Sequence, residues 1–285
     1  MSTNLLAMRM AQARRRRVAM SVLEWAAMLL VLFAILFPIG WMVLTAFKQP
    51  ADVFRLSLGF TPTLQNFRTL FSDEWHVGAK VVNSLVISCA TVAIAIPCAV
   101  CAAYAFSRLR FFGRQLIFQW LLITQFIPAV VVVLPFYLLF RRLGLLDTYA
   151  ALIVVNLSVV VPYAVWTIKG FIDAVPMDTE EAALMDGAGR LRLLWDVIVP
   201  MARPGILTAA IFCFILTWNE FLFALVLTRD KVVPLSVGLI GFRTERGDLW
   251  EFIAATGIII TIPMFFFALA IQKHFTKGMT LGAVR

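Results

Sequence analysis

Glu181-Ala182-Ala183-Leu184-Met185-Asp186-Gly187, closed further on by Val197-Ile198-Val199-Pro200, is a polar island with a glycine hinge inside an intensely apolar chain. On either side lie long apolar runs. The 285 residues are 62% hydrophobic and 14% charged, whereas soluble domains carry about 45–50% apolar and about 25% charged residues. The chain therefore reads as a polytopic membrane protein. A bilayer core about 30 Å thick needs about 20 apolar residues per helix, and six segments qualify: Trp25 to Phe47, Val81 to Phe106, Leu116 to Phe140, Tyr149 to Ile168, Gly205 to Leu227 and Leu249 to Ile271. None alternates strictly, so helices are favoured over barrel strands. The expected fold is all-α with six transmembrane helices.

Lys and Arg in loops stay preferentially on the cytoplasmic side. With the N-terminus inside, fifteen basic residues fall in the cytoplasm and ten outside, and the Arg14 to Arg17 block abuts the first span. Both termini and the Glu181 island are thus expected in the cytoplasm of a multi-pass cell-membrane protein. The net charge of +9 is accounted for by a topology anchor beside lipid rather than by nucleic acid. The apolar run after Arg17 is too long for a signal-peptide core and lacks a small-residue cleavage site, so a retained signal anchor is expected. The organisation is a cytoplasmic lead (1–24), a six-helix membrane domain (25–271) with the island at 177–200, and a cytoplasmic tail (272–285).

Catalysis is poorly supported. The two histidines, His76 and His274, lie near no nucleophile or carboxylate pair, and neither HExxH nor GxxxxGK[ST] occurs. Cys98 and Cys101 form a CxxC without further ligands and read as apolar fillers. No metal or cofactor is expected in the chain, so energy for any work comes from elsewhere.

Proline lies inside five spans, at Pro38, Pro97, Pro128 with Pro135, Pro162 and Pro263, and each removes a backbone hydrogen bond and invites a kink. Polar residues at membrane depth are costly unless they face protein or water. Asn83 with Ser84, Gln125, Asn156 with Ser158, and Trp218-Asn219-Glu220 are of this kind. Amides beside aromatics suit a neutral polyhydroxylated solute, which makes Asn83, Gln125, Asn156, Trp218, Asn219 and Glu220 candidates for a substrate path. Interhelical hydrogen bonding is the other reading.

Within the island, Asp178 to Glu181 fits a capping box, in which Glu181 closes a short helix. After Gly187-Ala188-Gly189, Leu191, Leu194, Trp195 and Ile198 recur at helical spacing opposite Arg190, Arg192 and Asp196. Two short helices joined by a glycine hinge are expected, lying flat on the membrane or docked into a groove of a cytoplasmic partner.

Glu181-Ala182-Ala183, Gly187, and Val197-x-Val199-Pro200 resemble the EAA loop of permease subunits in binding-protein-dependent ABC importers, with Val197 and Val199 where the family usually has Ile and Leu. Asn83-Ser84, the Pro128 and Pro135 span, Trp218-Asn219-Glu220-Phe221 and the tail from Lys277 to Val284 resemble the carbohydrate-uptake class, exemplified by the smaller, six-helix permease of the maltose transporter. The resemblance implies a type I importer permease fold with a cytoplasmic coupling helix. It implies a second, homologous permease in a heterodimer, two cytoplasmic ATPase subunits that bind ATP and Mg, and an external solute-binding protein. Glu181 would be the polar contact to the ATPase, Ala182 and Ala183 the close-packing face and Gly187 the bend, with Asp186 and Pro200 completing the loop. Lys277, Gly278 and Thr280 would reach between the ATPases. The solute implied is a saccharide, polyol or similar neutral molecule. A peptide, amino-acid or metal importer, an ion-coupled transporter and a membrane-embedded enzyme are weaker alternatives, because Glu220 is nearly the only deep charge and no catalytic constellation is present.

Overall fold

The computed structural model describes residues 2–57, 59–245 and 247–282, with side chains described between residues 20 and 269. Its contacts divide into two units, Met1–Phe67 with Leu249–Ile258, and Arg68–Asp248 with Ile259–Arg285.

In the first unit, α1 (Ser2–Ala46) is one unbroken helix that passes through the boundary drawn at residue 24 and contains Pro38. Its apolar stretch, Met20–Ala46, is long enough to span a bilayer. The chain after it is tied down rather than loose. Lys48 is 1% exposed: its ammonium donates to the Arg55 carbonyl at 2.8 Å and sits 4.8 Å from the Trp41 ring and 5.5 Å from the Phe60 ring. A buried ammonium needs such partners, and an aromatic face supplies part of them. Asn66, near the start of α2 (Gln65–Leu70), donates its amide to the carbonyls of Ala46 and Lys48, both at 2.8 Å.

The second unit is organised around α3 (Val77–Arg108), α6 (Tyr149–Asp173) and α9 (Val199–Trp218). Small residues let these helices approach: Ala95, Ala99 and Ala103 of α3, Ala164 of α6, and Ala202 and Ala209 of α9 share one buried cluster. At Gly205 a Cβ atom would collide with the Phe171 ring, so only glycine fits there.

The third expected span is not a kinked rod. It is a helix pair, α4 (Arg114–Ile123) and α5 (Ala129–Arg142), bent by 97° across a 3-10 turn at Thr124–Phe126. Pro128 stands at the N-cap of α5, and Ile127 before it is extended, as the residue preceding proline prefers. Pro97 and Pro162 lie instead inside unbroken helices. Among the described residues five helices are long and apolar enough to cross a membrane, or six if the bent pair counts as one.

The fifth span is also divided. After α7 (Met177–Met185), α8 (Arg190–Arg192) leads through a turn of π-helix at Leu193–Ile198 directly into α9, so the expected second short helix is the start of the span itself. Asn219 to Phe221 then interrupt the helix before α10 (Leu222–Leu227). The short α11 (Leu235–Gly238) and a two-stranded hairpin of β1 (Arg243–Thr244) and β2 (Gly247–Asp248) precede α12 (Trp250–Gly282), which contains Pro263. The boundary drawn at 272 lies inside α12.

Candidate functional site

The chain leaves α6 at Asp173 and turns through Val175-Pro176 into α7. Arg108, the last residue of α3, organises this turn. Its Nη2 donates to the carbonyls of Ile172, in the last turn of α6, at 2.8 Å and of Val175, just beyond it, at 2.9 Å. Its Nε donates to Glu180 Oε1 at 2.5 Å, and the two side chains are only 10% and 6% exposed. Nη1 meets Ser107 Oγ at 2.9 Å, and that hydroxyl donates to Asp173, which also takes Lys169 at 2.6 Å.

The capping box expected at Asp178 to Glu181 does not form. α7 starts at Met177 with Pro176 as N-cap and no side-chain cap, so Glu181 lies inside the helix and not across its first turn. The buried acid is Glu180, and Glu181 is exposed. Ala183, one turn from Glu180, packs against the buried cluster of α3, α6 and α9, while Ala182, Asp186 and Gly187 are exposed. α7 ends in a Schellman motif: Gly187 N–H donates to Leu184 at 3.0 Å and Ala188 N–H to Ala183 at 3.1 Å. This requires left-handed backbone at Gly187, where φ is +84°, and accounts for glycine at that position.

The expected apolar face beyond the hinge is corrected. Leu193, Leu194 and Ile198 are buried, but Leu191 and Trp195 are exposed. The π turn widens the bonding step from i+4 to i+5, so an α-helical count no longer assigns the faces. Pro200 is exposed in the first turn of α9. The open side of the island therefore carries Glu181, Leu184, Met185 and Asp186, with Leu191 and Trp195 beyond the hinge. Met185 is 88% and Leu191 74% exposed.

The polar residues at membrane depth fall into separate groups. Asn83 donates to the Val233 carbonyl at 3.0 Å and accepts from the Tyr149 hydroxyl at 2.5 Å, while Ser84 Oγ accepts from Leu235 N–H at 2.8 Å. Asn156 and Glu220 are brought together with Ser84 and Thr217 around a cavity of about 10 Å³, about the room of one water molecule. Asn156 donates to Leu152 of its own helix, and the Glu220 carboxylate caps α10 through the N–H groups of Phe223 and Ala224. Trp218 is buried: its indole donates to the Ile260 carbonyl of α12 at 3.1 Å and stacks on Phe214. Gln125, in the α4–α5 bend, donates to Val159 of α6, and Asn219 donates to Ile215 and meets Met264 of α12. Gln125 and Asn219 are exposed, Asn83, Asn156 and Trp218 are buried, and Glu220 is half-buried. Lys277, Gly278 and Thr280 lie on α12, but their side chains fall outside the described residues.

Sequence reasoning missed two features. Arg108 reads as one more topology charge, although the Glu180-Glu181 doublet required a partner for whichever acid faced inward. Asp147 reads as an ordinary turn residue. In fact it has positive φ and accepts backbone N–H groups from Arg229, Asp230, Lys231 and Val232 at 3.0–3.2 Å. Partial burial works to raise this carboxyl, but the four N–H groups outweigh it and hold it below the usual carboxylate range. Among the described residues no group of three or more His, Cys, Asp or Glu is placed to hold a metal ion.

Residues 95–281 match the family described as the binding-protein-dependent transport system inner membrane component. Along most of its length the chain is also similar to curated permeases. It is 35% identical to the trehalose transport system permease protein SugB of Mycobacterium tuberculosis, covering 92% of this chain and 97% of that one. It is 31% identical to the trehalose/maltose transport system permease protein MalG of Thermococcus litoralis, covering 95% and 99%. Its fold matches a crystal structure of a bacterial ABC transporter involved in import of the acidic polysaccharide alginate, with a TM-score of 0.77 at 23% identity over 90% of this chain and 96% of that chain. The chain therefore belongs to the multi-pass inner-membrane permeases of binding-protein-dependent ABC importers.

Proposed function

We propose that this chain is one of two permease subunits of an ATP-driven importer for a neutral saccharide or polyol, with both termini in the cytoplasm. A second, homologous permease pairs with it, an external binding protein delivers solute, and two ATPase subunits bind ATP and Mg. The observation that carries this reading is α7. One face is anchored through Glu180 and Ala183, and the other presents Glu181, Leu184 and Met185 to solvent, as a helix that seats in a partner's cleft requires. Relatives named for trehalose, maltose and maltodextrin transport favour a neutral glucoside. Asn219 and Gln125, the open amides at membrane depth, are the side chains that meet solute. Asn83, Asn156 and Trp218 instead hold the helices that frame its path, and Glu220 caps α10.

Glu181→Lys should insert normally yet lose ATPase co-purification and uptake. Uptake of labelled trehalose, maltose and maltodextrin by cells expressing the whole transporter measures both coupling and solute class. Wild-type uptake by the variant defeats the coupling reading, and uptake of none of the three sugars by the parent defeats the glucoside reading.

A further inference from the structure

We infer that the buried Arg108–Glu180 pair is the strut that carries displacement of α7 into α3 and α6, so that Arg108 and Glu180 are positioning residues for coupling; this rests on the reading of α7 as the ATPase-docking helix. The two ends of α7 are attached differently. Its C-terminal end runs into Gly187 and Gly189, about which a Cβ atom would meet nothing within 4 Å. It is closed by backbone hydrogen bonds alone, the Schellman pair at Gly187 and Ala188 and Leu193 N–H to the Gly189 carbonyl at 2.9 Å. Its N-terminal half is fastened by a guanidinium that grips three elements at once. Nε holds Glu180 of α7, Nη2 holds the carbonyls of Ile172 and Val175 at the end of α6, and the stem is the last turn of α3.

These bonds are charge-assisted and shielded from water, where such interactions are strongest. α7 therefore cannot shift away from α3 without leaving a charge buried and unpaired. Ser107, Asp173 and Lys169 brace the same corner. Since α3, α6 and α9 pack in one buried cluster that includes Ala99, Ala103, Ala164 and Ala209, a push received by α7 through Arg108 moves these packed spans together. An isolated packing role would need only an apolar pair of similar volume. The fork of Arg onto two carbonyls and a carboxylate is specific in direction, which a lysine point charge cannot reproduce.

The test uses the whole transporter in nanodiscs, with spin labels at Arg110→Cys beyond α3 and Met177→Cys at the start of α7, in a background free of the four native cysteines. Label separations are measured without nucleotide and with Mg and a non-hydrolysable ATP analogue. With the pair intact, the separation between positions 110 and 177 should be the same in both states. In Arg108→Lys and in Glu180→Gln, nucleotide should shift the separation beyond the width of the parent distribution, and sugar import per ATP hydrolysed should fall at least tenfold. If a single variant fails to assemble, Arg108→Met with Glu180→Leu removes both charges, and the same shift is expected. An unchanged separation in variants that assemble overturns the strut. If Glu181→Lys still abolishes ATPase co-purification in that case, the docking reading stands without it. If Glu181→Lys retains docking, both fall.

Discussion

Two corners of the second unit are held by a charged group that gathers acceptors or donors from several elements, and they do it in opposite ways. At the α7 end, Arg108 and Glu180 depend on each other: each is the other's counter-charge in a nearly dry setting. At the far end of α6, Asp147 depends on no side chain at all. Its carboxylate accepts four successive backbone N–H groups, and its own N–H donates to the Leu227 carbonyl at 2.8 Å. A tie built from two side chains can be lost at either residue, and its charges make it directional. A tie to backbone can be lost only at the carboxylate, and the residues that supply the N–H groups are free to vary.

Breaking the first corner should cost most. Arg108→Ala leaves Glu180 buried without its partner, for which about 3–5 kcal/mol is expected. The thermal midpoint of the purified transporter should drop accordingly, and Arg108→Met with Glu180→Leu should recover most of that drop. Asp147→Ala should cost less, about 2 kcal/mol, because the freed N–H groups lie at an edge that water reaches. The two corners should also differ in acid. The Asp147 carboxyl is held below its ordinary value, so its contribution is complete above the unfolded carboxylate value and is lost as pH falls through the lowered folded value. Asp147→Asn should flatten the thermal midpoint across that window; a slope equal to the parent's would contradict the clamp. The smallest effect sharpens the contrast: Lys231→Ala keeps the backbone donor and should change stability by less than about 0.5 kcal/mol.

Much of this could be read from the sequence, for physical reasons that also mark where reading stops. Long apolar runs leave little choice but helix in a bilayer, so the spans at α3, α6 and α12 were legible, and the Glu181 to Pro200 island was legible as the interruption between two of them. Proline composition could not tell Pro97 and Pro162, absorbed within helices, from Pro128, which separates α4 from α5 at 97°. The outcome depends on what the surrounding helices do with the carbonyls that each proline frees. The choice between Glu180 and Glu181 was equally hidden. Both are acids on a helix of one polarity, and only the position of Arg108 on a distant helix decides which turns inward. The π turn at Leu193–Ile198 defeated a count by threes and fours because one widened turn rotates everything before it.

The length of α1 bears on how the protein sits in lipid. The 27 residues of Met20–Ala46 rise about 40 Å at about 1.5 Å per residue, beyond a hydrocarbon layer about 30 Å thick. Trp25 and Trp41 lie about 24 Å apart along the axis at the same rise, a spacing suited to the two interfacial belts where indoles collect. The Trp41 ring also lies over the buried ammonium of Lys48. One ring thus marks the water boundary and lines an internal cage, so the depth of α1 in the bilayer and the shape of the segment after it are set at the same place.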